Sequence, residues 1–463
     1  MTKRLQFLAI AALSAFLAGC QGPCDKIQSI NRPTLTSGTA DFGTYVSVGT
    51  SISAGVQSNG LVDRHQVKAF PALFAQQLGK TVLSSGGGDF SFPAIDRDGF
   101  PALLRVASYS PLLITSAGRT TGNFMNTAQA TAYHNMAVPF AIAADFVDST
   151  HYYATLAPVN RSALAQNYFT NIVRHRGTIA QQALGKAPTF LSFEYGFNEV
   201  LGPVTKGALI NGLTSNAFAA ATTAGMNAIR ATLPNAKVAV FNIPDPTLLP
   251  FVNTFSAFTV NLTTGQPVAL VGPGSTALSA GDFVLLSAGP YLAQGIGIPV
   301  GAYNYVNPGA PGTGQSLPDS TILSEAEASA VLTEVAQMNA HLDTLTMRPF
   351  VAKVDFHAAL ASAAANGIHI GANVFTTAFV RGGLFSLDGV HPNDLSHAVL
   401  ANLMIDAVNA RFGSGVPRLN PSDFASPNAS RVQPVSPYPG LPQPMIIEND
   451  QPFVSGYGSP FRD

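Results

Sequence analysis

The sequence predicts an α/β fold: a mostly parallel central sheet between two layers of helices, with long loop insertions. Three observations carry that expectation. Apolar runs of strand length recur at 45–48, 189–193, 237–243 and 351–355. Segments with helical spacing alternate with them, and strands joined through helices run parallel with both faces covered. Of the 463 residues, 46% are hydrophobic and only 11% charged, which is enough apolar material for a sizeable core. The 42 glycines and 33 prolines predict long ordered loops rather than a lean helical bundle. A formal net charge of -1 with no basic block argues against nucleic acid as a partner. With charge so scarce, Ser, Thr, Asn and Gln must cover much of the surface, a composition that suits an extracytoplasmic protein.

Residues 1–20 read as a targeting segment. Lys3 and Arg4 precede a nearly unbroken apolar run over 5–17, which is shorter than the about 20 residues a membrane span needs. Leu17-Ala18-Gly19-Cys20 resembles the lipobox of bacterial lipoproteins. That resemblance implies cleavage before Cys20, a diacylglyceryl thioether on its sulfur and acylation of the new N-terminus, which together make a stable membrane anchor. Gln21 rather than Asp follows Cys20, as in lipoproteins sorted to the outer membrane of a Gram-negative cell. Cys20 and Cys24 cannot make a disulfide framework, and the nine histidines lack metal-ligand spacing near carboxylates, so no metal is expected. Residues 21–40, polar and with Pro, Ser, Thr and Gly, read as a tether.

The globular domain is expected over 41–415. Its first strand ends in Gly49, with Thr50-Ser51-Ile52-Ser53-Ala54-Gly55 as the turn. A helix over 70–79 follows, with Pro71 in its first turn and Gly79 as its stop. An irregular insertion covers about 84–130; its Gly86-Gly87-Gly88 is not followed by the Lys-Ser/Thr of a phosphate-binding loop. Residues 133–141 read as a strand end running into a turn, and 160–184 as a helix. After the 189–193 strand and Glu194-Tyr195-Gly196-Phe197-Asn198-Glu199, a helix is expected at 215–232. The 237–243 strand is stopped by Pro244 and Pro246, and a second insertion covers about 250–320. Leu323 opens a helix that runs to Leu345, with Ser324 as N-cap and Glu327 three residues on. The 351–355 strand, an Ala- and Gly-rich stretch and a helix over 395–412 complete the domain. Ten of the 33 prolines fall after Val416, so 416–463 is expected to be an extended tail.

A serine at the end of a buried strand, relaxed by glycines on either side, is placed to act as a nucleophile. It would need a base, an acid to orient the base, and fixed donors for a developing oxyanion. Asp388-Gly389-Val390-His391 can supply acid and base from one loop, with the carboxylate on one imidazole nitrogen and the other facing Ser51. A surface turn capping the next helix would have the same spacing, but Asn393 and Asp394 can do that capping themselves.

Gly49-Thr50-Ser51-Ile52, Gly196-Phe197-Asn198-Glu199 and Asp388-Gly389-Val390-His391-Pro392 resemble, in order, the first, third and fifth conserved blocks of the SGNH (GDSL) hydrolases. The resemblance covers roughly 41–413 and implies a flavodoxin-like sheet. It implies Ser51 as nucleophile, His391 as general base and Asp388 as its orienting partner, with the Asn198 side chain and the Ser51 backbone N–H as the oxyanion hole. Three positions depart from the family pattern. Thr50 stands where the family has Asp, Glu199 follows Asn198 where the family has Asp, and Phe140, in Asn135-Met136-Ala137-Val138-Pro139-Phe140, stands where the second block has Gly. Phe140 keeps an N–H, but it disfavours positive φ and brings a ring to the site.

His397, His134 and His65 are expected in packing or surface roles and Asp282 in a structural one, while Asn242 and Asp245 lie at a sheet edge where α/β ligands bind. The expected protein is thus a lipid-anchored, extracytoplasmic serine esterase or lipase acting on an acyl or lipid-like ester, without a cofactor. The alternatives are a non-catalytic surface lipoprotein that binds ligand on the same scaffold, and an acyltransferase with the same triad.

Overall fold

The computed structural model describes residues 35–109, 112–116, 121–156, 160–207, 214–425 and 445–447. Cys20, the lipobox, the tether before Leu35 and most of the C-terminal tail lie outside the described residues. The main elements are β1 (Tyr45–Gly49), α1 (Phe70–Gln77), α2 (Ala163–Ile172), α3 (Ile179–Gly185), β2 (Phe190–Glu194) and α4 (Phe197–Lys206). They are followed by α5 (Ser215–Thr232), β3 (Lys237–Phe241), α6 (Glu325–Thr346), β4 (Val351–Val354), α7 (Phe356–Asn366) and α8 (Asp394–Phe412).

The four strands form a parallel sheet in the order β1-β2-β3-β4. Residues 134–138 extend it beyond β1: Ser47 N donates to the His134 carbonyl at 2.8 Å, Met136 N to Ser47 at 2.8 Å and Val138 N to Gly49 at 3.0 Å. Counting this segment as second in the chain, the spatial order is 2-1-3-4-5, the doubly wound flavodoxin-like arrangement. The expected fold class is therefore the observed one.

Strand alternation sends neighbouring side chains to opposite faces. Phe190 packs against Phe74 of α1 and Phe412 of α8, with ring centroids 5.6 and 6.3 Å away. Phe193, three residues on, meets Phe146 on the other face at 5.4 Å, beside Gly225 of α5. The helical layers are thus α1 with α8 on one face, and α3, α5 and α6 on the other.

Several ends follow local rules. At α6, Ser324 Oγ accepts from Glu327 N while the Glu327 carboxylate accepts from Ser324 N at 2.9 Å, the expected capping box. The helix expected at 160–184 is two helices. Arg174 and His175 take positive φ, and the Arg174 guanidinium donates to the Gln129 carbonyl at 2.6 Å and lies 4.2 Å from the Tyr133 ring. Thr178 then starts α3 with a capping box of its own through Gln181. The 84–130 insertion contains a hairpin, Leu104–Tyr109 against Leu112–Ser116. Beyond α8 the tail begins packed: the Asn402 side chain exchanges hydrogen bonds with the Leu419 backbone at 2.8 and 3.0 Å.

Candidate active site

In a doubly wound sheet the ligand crevice opens at the carboxyl ends of the strands, where the strand order reverses. Here that point lies between β1 and β2, and Ser51 stands two residues past Gly49. It opens a single helical turn, Ser51–Ala54, which Gly55 closes in the left-handed conformation. The turn approaches β2 so closely that a Cβ on Gly49 would sit 2.6 Å from Ser53 Oγ and 2.7 Å from the Glu194 carbonyl oxygen. No larger residue fits there.

Ser51 Oγ lies 2.8 Å from His391 Nε2. His391 Nδ1 is 3.4 Å from Asp388 Oδ2, an ion-pair contact slightly longer than an ordinary hydrogen bond. All three side chains are buried, with Ser51 the most exposed at 6%. Asp388 is held from several sides. Its Oδ1 accepts from Val390 N and His391 N, both at 2.8 Å, and its Oδ2 accepts from Asn59 N at 2.9 Å and Ser386 Oγ at 3.0 Å. Burial alone would raise its pKa, but the adjacent imidazole and these hydrogen bonds outweigh burial and hold the carboxyl below its ordinary range. Asp388 is therefore ionised at neutral pH.

Asn59 belongs to the turn Gln57-Ser58-Asn59-Gly60, whose ends exchange backbone hydrogen bonds at 2.9 and 3.1 Å. Ser58 and Asn59 both take positive φ, as a type I′ turn requires. Ser58 also locks to the Asp388 loop: its N–H donates to Ser386 Oγ at 2.8 Å and its Oγ accepts from Leu387 N at 3.2 Å. Sequence reasoning missed this clasp, although Ser-Asn-Gly is a legible turn signal.

Glu194, at the end of β2, was also missed. Its fully buried carboxylate accepts from Thr50 N at 3.0 Å, Thr50 Oγ1 at 2.9 Å, Ser53 N at 3.3 Å and Ser53 Oγ at 2.9 Å. It thereby ties down the residues on both sides of Ser51-Ile52. Burial pushes its pKa up, partly offset by those four donors. Thr50, standing where the resembling family has Asp, is a donor to this carboxylate.

Asn198 lies in the first turn of α4, whose N-cap Gly196 takes φ +117; a Cβ there would meet Ile243 Cδ1 at 2.5 Å. One Asn198 Nδ2 hydrogen goes to the Ala141 carbonyl at 2.7 Å, and an amide carries two. The 140–145 loop is fixed at successive residues. Arg161 donates to the Phe140 carbonyl, Asn198 to Ala141, Ile142 N donates to Asp145 at 2.8 Å, and Ala143 N to Glu199 at 2.7 Å. Arg161 and Asp145 form an ion pair with no exposed side-chain surface. Phe140 itself sits at φ +68. The expectation that Phe would avoid positive φ is corrected by the surrounding bonds, which impose the conformation despite a cost of about 1–3 kcal/mol. Burial pushes Glu199 up to about 7.

The three other histidines singled out in the sequence have structural partners. His65 Nδ1 lies 2.7 Å from Asp394, which also accepts from Lys68 and Gln57. His134 Nδ1 lies 3.0 Å from Ser91 Oγ. His397 is buried, accepts from Phe70 N at 3.3 Å, and is pushed down to about 3 by burial. Asp282 accepts from Ser279 N and Glu325 N, a structural role as expected. Asn242 donates to Asp355 and accepts from His357 N, so its side chain ties the start of α7. Asp245 caps a short turn through Thr247 N. Among the described residues no cluster of His, Cys, Asp and Glu could hold a metal ion, and no helix is long and apolar enough to cross a membrane.

No family model and no curated protein matches the chain. Among solved structures it is similar to a candidate GDSL-like lipase from Parabacteroides merdae, at 12% identity over 81% of this chain and 99% of the other, with a TM-score of 0.33. It is also similar to an active-site mutant of a family two carbohydrate esterase from Clostridium thermocellum, at 9% identity over 80% of this chain and 65% of the other, with a TM-score of 0.29. At these scores neither likeness bears on the reading of the site.

Proposed function

We propose that the protein is a serine hydrolase that cleaves carboxylic esters through an acyl-enzyme. The observation that carries this reading is the 2.8 Å contact of Ser51 Oγ with His391 Nε2, continued to a buried, ionised Asp388. In the proposed reaction Ser51 Oγ attacks the ester carbonyl while His391 Nε2 takes its proton. Asp388 orients the imidazole and stabilises the imidazolium. The Ser51 backbone N–H and the second Asn198 Nδ2 hydrogen are the proposed donors to the oxyanion. Collapse of the intermediate expels the alcohol, which takes the proton from His391. Water, deprotonated by His391, then releases the acid. Residues of this chain suffice for every step.

The Leu17-Ala18-Gly19-Cys20 motif supports a lipid anchor on Cys20 and an extracytoplasmic location. Labelling of cells with radioactive palmitate tests this: the label is expected on the wild-type protein and not on Cys20→Ser.

A binding-only scaffold, motivated by Phe140 and the long insertions, would keep the same geometry without turnover. An acyltransferase would use the same triad, and competition between an alcohol acceptor and water tells it apart. The direct test of the hydrolase reading is turnover of p-nitrophenyl acetate. Ser51→Ala is expected to lower kcat/KM by at least about 10³-fold. A Ser51→Ala protein as active as the wild type would overturn it.

A further inference from the structure

A cavity opens beside the proposed triad, and its walls begin one residue in sequence from Ser51, Asn198 and His391. Ile52 follows Ser51, Phe197 precedes Asn198 and Val390 precedes His391, and all three line it. From there it runs between α7 and α8. Phe356, Ala359, Leu360 and Ala363 recur at i, i+3, i+4 and i+7 on α7, one apolar stripe facing the gap. Ser396, Val399 and Leu400 of α8 face them.

Every lining residue but Ser396 is apolar, and the Ser396 hydroxyl already donates to the Leu384 carbonyl at 2.6 Å. A water there would lack the two to four polar partners that hold a buried water, so the space favours a hydrocarbon guest. A sugar or glycerol arm would equally find nothing to bond. The two helices leave apolar stripes facing a gap where a purely structural pair would interdigitate.

We propose that this cavity is the subsite for an unbranched aliphatic acyl chain, so that the ester cleaved at Ser51 is a fatty acyl ester. The proposal rests on the hydrolase reading above. An acyl carbon bonded to Ser51 Oγ places its chain at Ile52 and Val390, and each further methylene enters the gap between α7 and α8. Each buried methylene raises kcat/KM by up to about fourfold until the gap is filled.

The test uses the full chain with p-nitrophenyl esters from acetyl to decanoyl, below their micellar concentrations, and a mirror series of acetate esters of longer alcohols. The expected result is a kcat/KM that climbs at least tenfold along the acyl series and stays flat along the alcohol series. In Ala359→Phe, checked for folding by its thermal melt, the decanoyl-to-acetyl ratio is expected to fall at least tenfold. A flat acyl series, a climb confined to the alcohol series, or an unchanged ratio in Ala359→Phe overturns the proposal. Binding to Ser51→Ala separates the subsite from the reaction. Decanoate is expected to bind at least tenfold more tightly than acetate, and that preference is expected to vanish in Ser51→Ala/Ala359→Phe. If no ester turns over but this preference holds, the hydrolase reading fails and the subsite stands. If esters turn over without it, the subsite fails alone.

Discussion

Glu194 and Phe140 are the residues on which the nucleophile turn and its neighbouring loop depend most directly. Four donors from Thr50 and Ser53 converge on the Glu194 carboxylate, and Gln would offer one oxygen and an amide NH2 that donates where acceptors are needed. Glu194→Gln is expected to lower stability by about 1–3 kcal/mol and to reduce kcat more than it changes KM, read by thermal melts and steady-state kinetics. Glu194 was not legible as a site residue, because a Glu ending a buried strand has no motif that assigns it a partner 144 residues away. At Phe140 the usual ranking of Ala over Gly reverses. With φ at +68, Phe140→Gly is expected to be more stable than Phe140→Ala by about 1 kcal/mol, and both less stable than the wild type because a buried ring is lost. An Ala variant more stable than the Gly variant in denaturant melts would contradict that conformation. The sequence marked this position correctly as one that wants Gly, but it could not show the Arg161 and Asp145 contacts that hold a Phe there.

Among the elements, the type I′ turn at 57–60 acts on the acid of the triad through a backbone N–H. Asn59→Gly keeps both the N–H and the positive φ, so activity is expected within about threefold of wild type. Asn59→Val places a β-branched residue in the left-handed region and is expected to reduce kcat at least tenfold while substrate-analogue binding persists. Comparable kinetics for the two variants would show that the clasp does not position Asp388. The long elements were the most legible. β1, α1, α5, α6 and α8 emerge close to their expected bounds because periodicity, Pro71, Ser324 and Asn393 mark them. The breaks were less so. The α2–α3 division depends on Arg174 reaching the 129–131 backbone, a tertiary contact that local pattern does not report. α4 was hidden because its N-cap is Gly196 and it contains Pro203. α7 was hidden in an Ala-rich stretch whose single apolar stripe faces a cavity.

At the scale of the whole molecule, the parallel sheet brings residues from three distant parts of the chain to one edge, and buried charges hold that edge together. Glu199 is held protonated up to about 7 by burial, against 4.5 for a free Glu. The folded state therefore binds more protons than the unfolded one between those values, so stability falls as pH rises through that window. Glu199→Gln is expected to flatten that slope in melts between pH 4.5 and 7. Arg161→Met would leave Asp145 buried without its cation and is expected to cost about 3–5 kcal/mol. The order of the blocks along the sequence was enough to anticipate that Ser51, Asp388 and His391 meet, because a doubly wound sheet delivers strand ends to a common edge. The cavity between α7 and α8 was not legible, since it depends on how two helices pack. The central claim is that Ser51 is a nucleophile activated by His391. It is tested most directly by treating the protein with a p-nitrophenyl alkylphosphonate and locating the adduct by peptide mass spectrometry. The adduct is predicted on the peptide that carries Ser51, and its formation is predicted to slow by at least about 10³-fold in His391→Ala. An adduct on another residue, or an unchanged rate in His391→Ala, would contradict the claim.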